Sequence, residues 1–339
     1  MYKTKEEKEL IIVDHLTKSY GSTLAVDDLS FTIEDGHIYG FLGPNGAGKS
    51  TTLNILTGCL AATEGTVKIG DYDIFEDSKE AKKLIGYLPE IPPLYVDQTP
   101  REYLDFVAEA KRVSKKDRPA EIERVAKETN IDHVLDKPIK FLSKGYRQRV
   151  GISQALLGNP QIIILDEPTV GLDPMQILEI RELIHNLGQK HTVILSSHIL
   201  SEVQAICDKV LIIYKGKLVA FDTPDNLGKD SSSGSVIEIG ADVSTDEAKE
   251  ILKDIQNITR FEVCESDDDH TLKLHVENCD VTDISKAIFR AFAAKDIPLF
   301  KLNPVKTNLE DIFMELTSES DENNIITLEE KEIDSSITA

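Results

Sequence analysis

Residues Gly43–Thr51 read GPNGAGKST, and this stretch decides the fold. It fits the pattern G-x-x-x-x-G-K-[ST], with Gly43, Gly48, Lys49 and Ser50 at the fixed places. The apolar run Ile38 to Leu42 precedes it and a helix-compatible run, Lys49 to Leu56, follows. That is the strand–loop–helix setting the motif requires. From Gly43 and Pro44 through Asn45, Gly46, Ala47 and Gly48 into Lys49, Ser50 and Thr51, the chain is built to turn backbone N–H groups onto phosphate oxygens. The following helix aims its positive end at the same place. Lys49 brings a full charge to the outer phosphates of a nucleoside triphosphate, and Ser50 offers a hydroxyl to Mg²⁺.

Further along, Ile162–Pro174 reads IIILDEPTVGLDP. Four aliphatic residues predict a buried strand, and two carboxylates close it. Alternation along a strand sends Asp166 and Glu167 in different directions. Ligands sit at the carboxyl ends of such strands. Asp166 is therefore expected at Mg²⁺, and Glu167 at the attacking water. Leu142–Arg149 reads LSKGYRQR, in which Ser143 can cap a helix and, with Gly145, form a second anion site; an ordinary capped helix fits the same residues. His198 follows the apolar run Thr192–Leu195 and two serines, just after the strand expected beside that of Asp166. Tyr20 is read either as a ring that stacks on a nucleobase or as a half-exposed packed tyrosine.

Buried β runs at Ile38–Leu42, Ile162–Leu165, Thr192–Ser196 and Val210–Tyr214 alternate with helical periods, which predicts an α/β fold with a mainly parallel sheet. Thr99–Val113, Pro119–Thr129 and Lys144–Leu157 read as helices and predict an inserted helical lobe over about 95–160. Residues 1–229 form one expected domain, 230–235 a linker around SSSGS, 236–317 a small α+β domain and 318–339 an acidic tail expected to be disordered. The small domain shows β-α-β-β-α-β order, that of ferredoxin-like modules, with a closing helix over Asn308–Leu316.

The 339 residues carry a net charge of −22, and 26 of the 60 acidic but only 10 of the 38 basic residues lie from Asp230 onward. Neither part offers the basic face of a nucleic-acid binder. The cluster Lys111, Arg112, Lys115, Lys116 and Arg118 has acidic neighbours and reads as a solvated surface. No apolar run nears the ~20 residues of a membrane helix. The start MYKTKEEKEL lacks the apolar centre of a secretion signal, and four scattered cysteines read as reduced thiols in a cytoplasm.

In their order and spacing these motifs closely resemble the ATPase subunit of ATP-binding cassette (ABC) transporters, over about residues 10–225. Tyr20 matches the adenine-stacking position, GPNGAGKST the phosphate loop, LSKGY the signature, IIILDEPT the Walker B strand with the catalytic Glu167, GLDP (with Asp173) the D-loop, and His198 the switch histidine. The resemblance implies a P-loop NTPase cassette that binds ATP and Mg²⁺. Two cassettes, in a homodimer or heterodimer, would sandwich ATP between the phosphate loop of one and Ser143 and Gly145 of the other. A membrane permease on a separate chain is implied, with this chain peripheral on the cytoplasmic face of the membrane. The pattern departs at Lys144 and Tyr146, where the family has Gly and Gln, and at Glu90, where it has the Q-loop glutamine that reaches Mg²⁺. Lys144 is expected to face solvent. GYLPE, LSKGY and NLEDIFMEL resemble subfamilies that export drugs or serve gliding motility. The rival function is a soluble cassette ATPase acting on a ribosome or chromosome. Such relatives carry a second cassette or a long coiled coil, and neither is seen here. A GTPase would show N-K-x-D, also not found.

Overall fold

A computed structural model describes residues 8–230, 235–241, 243–253, 255, 258–266, 269–276 and 281–305. Its first unit ends at Thr223 and its second begins at Pro224, several residues ahead of the join expected at SSSGS. The helix Pro224–Asp230 thus goes with the second unit.

Among the described residues the first unit contains two sheets. Strands β1 (Glu9–Tyr20), β2 (Thr23–Glu34), β3 (Ile38–Leu42), then helix α1 (Lys49–Leu56), strands β4 (Glu64–Ile69) and β5 (Tyr72–Asp73), the short helix α2 (Ser78–Ala81) and strand β6 (Ile85–Leu88) follow in chain order. Helices α3 (Pro100–Ala110), α4 (Arg118–Glu128) and α5 (Lys144–Leu156) follow and pack against one another. The chain then returns through β7 (Ile162–Leu165), α6 (Pro174–Gly188), β8 (Thr192–Ser197), α7 (Leu200–Ile206), β9 (Lys209–Tyr214) and β10 (Lys217–Asp222). The central sheet runs β10-β9-β3-β8-β7-β6; its pairings are parallel except that of the edge strand β10. Every residue of β3, β7 and β8 is buried, as strands covered on both faces require.

A second, antiparallel sheet of order β2-β1-β4-β5 was not foreseen. Its apolar residues Leu10, Ile11, Val13, Leu16, Val26, Leu29, Phe31 and Ile33 share one core with Leu53, Ile55 and Leu56 of α1 and with Phe41, Ile162 and Ile164 of the parallel sheet. Burial of each such side chain contributes about 1.5–3 kcal/mol. So α1, which starts at the phosphate loop, is wedged between two sheets. Capping fixes the first of the three helices: Thr99 and Glu102 close a capping box at the start of α3, with Pro100 at the first helical position.

In the second unit α8 (Pro224–Asp230) precedes β11 (Ser235–Ala241), α9 (Thr245–Leu252), β12 (Ile258–Ser266), β13 (Asp269–Val276), α10 (Val281–Ala293) and β14 (Leu299–Val305). The sheet order β12-β13-β11-β14, antiparallel throughout, is the ferredoxin-like arrangement. Ile284, Ile288 and Phe292 of α10 pack on Ile237, Ile239 and Leu274. The expected closing helix over Asn308–Leu316 and the acidic tail lie outside the described residues. Among the described residues no helix is long and apolar enough to cross a membrane.

Candidate active site

The loop between β3 and α1 bends where glycine permits it. Gly48 caps α1 in the left-handed region at φ 105°, and a Cβ there would stand 2.5 Å from the Ala25 carbonyl oxygen. Lys49, only 5% exposed, donates from Nζ to the Gly43 carbonyl at 2.8 Å and the Pro44 carbonyl at 3.3 Å. Its charge is balanced by Glu167, whose Oε1 lies 3.6 Å away and which is itself 7% exposed. The Ser50 hydroxyl donates to Asp166 Oδ1 at 3.1 Å.

Asp166 and Glu167 take different side-chain partners, and strand alternation is not the cause. Strand β7 ends at Leu165, and Glu167 adopts a left-handed φ of 48°. A non-glycine residue is held there only by its surroundings. Ser196 provides that hold: its Oγ accepts the Glu167 N–H at 2.9 Å and donates to Asp166 Oδ1 at 2.6 Å. The other oxygen of Glu167, Oε2, lies 2.9 Å from Nδ1 of His198. One carboxylate is thus gripped from both sides, by an ammonium and by an imidazole.

These groups open on a cleft of about 560 Å³ lined by Ala25, by Asn45 to Thr51, and by Glu90, Glu167, Val170 and His198. Asn45, Gly46, Ala47, Gly48, Lys49, Ser50, Thr51, Glu90, Glu167 and His198 are therefore brought together, with Asp166 joined through Ser50. Gly43 and Pro44 supply the carbonyls under Lys49. Tyr20 is not among the lining residues; it is half exposed, with the Lys18 ammonium 5.3 Å from its ring centroid.

Ser143, Gly145 and Asp173 lie outside the cleft and form a second group. Ser143 caps α5, accepting from the Tyr146 N–H, and Asp173 caps α6, accepting from the Gln176 N–H at 2.9 Å. A Cβ on Gly145 would meet Gln176 Cδ at 2.9 Å, so the two helix starts touch. Lys144 is exposed, as expected, and its amine rests against Gly171. Tyr146 stacks edge-on against His133, its hydroxyl 3.0 Å from Nε2.

Sequence reading missed Ser196, Ala25 and Val170. Ser196 had one usable signal, its place on the strand that leads to His198; the other two carry none.

A buried lysine beneath a glycine-rich loop at a helix start fits a polyphosphate, and Ser50 with Asp166 fits a hard divalent cation. A cleft of this construction, at the carboxyl edge of a parallel sheet, defines a P-loop NTPase. Residues 26–170 match the family model described as ABC transporter. The Bacitracin transport ATP-binding protein BcrA of Bacillus licheniformis is 42% identical over 222 residues, or 65% of this chain and 72% of that one. The uncharacterized ABC transporter ATP-binding protein YhcH of Bacillus subtilis is 32% identical over 93% of this chain and 98% of its own. Among solved structures, an ATP-binding cassette in a dimeric, post-hydrolysis state with ADP and Pi superimposes with a TM-score of 0.58 at 26% identity, over 63% of this chain and 98% of that one. The chain belongs to the ATP-binding subunits of ABC transporters. It is an ATPase that uses ATP with Mg²⁺.

Proposed function

We propose that this chain closes in pairs around ATP and thereby drives a separate membrane permease outward, as an exporter, from the cytoplasmic face of the membrane. The convergence of Lys49 and His198 on the two oxygens of Glu167 carries the residue assignment. When bound, magnesium ATP supplies the phosphoanhydride to be cleaved and the divalent charge that offsets it. Lys49 and the N–H groups of Gly46 to Thr51 hold the phosphates; Ser50 and Asp166 hold the metal, with Glu90 as a further oxygen at the rim. Glu167 accepts the proton of the attacking water on a carboxylate oxygen. His198 fixes the other oxygen and so sets the direction of that acceptance. Tyr20 is assigned to the base, and Ser143, Gly145 and Asp173 to the cassette across the dimer. The dimeric cassette with ADP and Pi and the bacitracin-transport relative support pairing and export. Because the relatives are transporter subunits, action on a ribosome or chromosome is the weaker reading.

Exposed apolar side chains support a contact with that permease. Ile91 is 83% and Phe141 64% exposed. Tyr95, Val96 and Phe106 are also exposed, and the Tyr95 and Phe106 rings lie 5.4 Å apart. The stretch carrying Phe141 runs beside Val96, since the Lys140 N–H donates to the Val96 carbonyl at 2.8 Å. Grouped apolar side chains left in water mark a contact for another protein.

The test is Glu167→Gln. Loss of the base should lower ATP turnover about 10²–10⁴-fold while ATP still binds. Light scattering should then find a dimer that persists in ATP. Wild-type turnover in the variant, or a monomer at saturating ATP, overturns the assignment.

A further inference from the structure

Glu202, on α7, is a carboxylate that the reaction as set out above does not use. It is 3% exposed, as deep as Asp166. A carboxylate so buried must be compensated, and its partners show what it is for. Oε2 accepts the Thr169 hydroxyl at 2.5 Å and the Ser197 hydroxyl at 3.2 Å. Oε1 faces a guanidinium nitrogen of Arg181 at 3.9 Å.

Thr169 lies two residues after Glu167, and Ser197 immediately precedes His198. The Ser197 hydroxyl also accepts the Ile199 N–H at 3.0 Å, which pins the far side of His198. Glu202 therefore holds the segment that carries the base and the segment that carries its histidine partner at a single oxygen. The segment after Glu167 lies past the end of β7 at Leu165, whereas Ser197 is the last residue of β8, and α7 has not begun before Leu200. Glu167 sits at a strained φ of 48° and needs restraint on both sides. Ser196 restrains it at its own N–H; Glu202 restrains it from beyond Pro168. Arg181 adds a third element, α6, whose first turn follows Asp173. Its Nε has no hydrogen-bond partner among the described residues, so a donor stands ready for a closer ion pair.

We propose that Glu202 is a positioning residue for ATP hydrolysis. By tying Thr169 to Ser197 it fixes the distance and angle between Glu167 and His198, and Arg181 relays to it the position of α6. This rests on the assignment of Glu167 as the base.

The experiment compares Glu202→Ala, Thr169→Val and Thr169→Ser in the full chain, each first shown to keep the wild-type melting temperature to within a few degrees. Thr169→Val serves if Glu202→Ala does not fold, since it removes one hydroxyl and retains the shape. Misplacement of a reacting group by about 1 Å lowers a rate by up to ~10²-fold. Glu202→Ala and Thr169→Val should therefore lower kcat about 10- to 100-fold, with ATP affinity by calorimetry unchanged. The double variant should be no slower than the worse single one, and Thr169→Ser should retain wild-type kcat. In a Glu167→Gln background, Glu202→Ala should have no further effect on turnover. The inference is overturned if folded Glu202→Ala keeps its kcat, if ATP affinity falls in step with kcat, or if the two losses multiply. Glu167→Gln alone separates the two ideas. Should it retain turnover, the base is misassigned; should it lose turnover while Glu202→Ala does not, only the role of Glu202 fails.

Discussion

Gly48 and Glu167, both in the cleft, hold left-handed backbone for opposite reasons. Gly48, at φ 105°, is there because the turn into α1 leaves no room for a Cβ beside the Ala25 carbonyl. Glu167, at φ 48°, has a side chain and is held by Ser196. Gly48→Ala adds both left-handed strain and a contact at 2.5 Å with a carbonyl oxygen. Strain of this kind is on the order of 1–3 kcal/mol. The variant should melt several degrees lower and lose at least about tenfold in ATP affinity, as calorimetry would report; unaltered affinity would mean the loop tolerates a different turn. Lys49, Ser50 and Asp166 were legible in the sequence because their spacing is itself the chemistry. Ser196 and Glu202 were not, since a serine in a strand and a glutamate on a helix look alike whether they face water or a catalytic carboxylate.

At the scale of elements, legibility followed burial. Strands β3, β7, β8 and β9 announced themselves as aliphatic runs because both faces are covered. The sheet β2-β1-β4-β5 escaped notice because β1 and β2 mix apolar with charged residues, and β1 carries a bulge near His15, itself at φ 48°. His191 shows how a junction between elements responds to pH. Lying between α6 and β8, it is 5% exposed, and its ring is 2.8 Å from the Pro160 carbonyl just ahead of β7. Burial pulls its pKa below the ordinary 6.5. The folded protein therefore resists a proton that the unfolded chain accepts. The contribution of His191 is complete above about pH 6.5 and is lost as pH falls toward the folded pKa, with a slope of at most about 1.4 kcal/mol per pH unit. Urea unfolding between about pH 7.5 and 5.5 should show this loss, and His191→Gln, whose amide can still donate to Pro160, should show less of it. An identical slope in the variant would place the pH effect elsewhere.

For the whole molecule, the sequence foresaw both the cassette and the β-α-β-β-α-β order of the second unit, because each sheet–helix alternation leaves its own period. The division at Thr223 was harder to see, since nothing in a short helix such as Pro224–Asp230 says which neighbour it joins. Composition likewise could not reveal the exposed rings of Tyr95 and Phe106, or the stretch carrying Phe141 that runs beside Val96, which the fold brings from distant segments. Phe141→Asp should leave the isolated chain's ATP hydrolysis as it was and abolish co-purification with a permease from the native membrane. Retention of the permease, or a fall in basal hydrolysis, would remove the surface from consideration.

The Lys111 amine, just past the end of α3, gathers the carbonyls of Gln154, Ala155 and Leu157 at the end of α5, each at 2.9 Å. Tyr103 on α3 donates to Gln154 as well, and its ring leans on Tyr95. The two helices are tied at one extremity, and Ser143 and Gly145 lie at the opposite extremity of α5. A load on Tyr95 would therefore reach that helix through Tyr103 and Gln154.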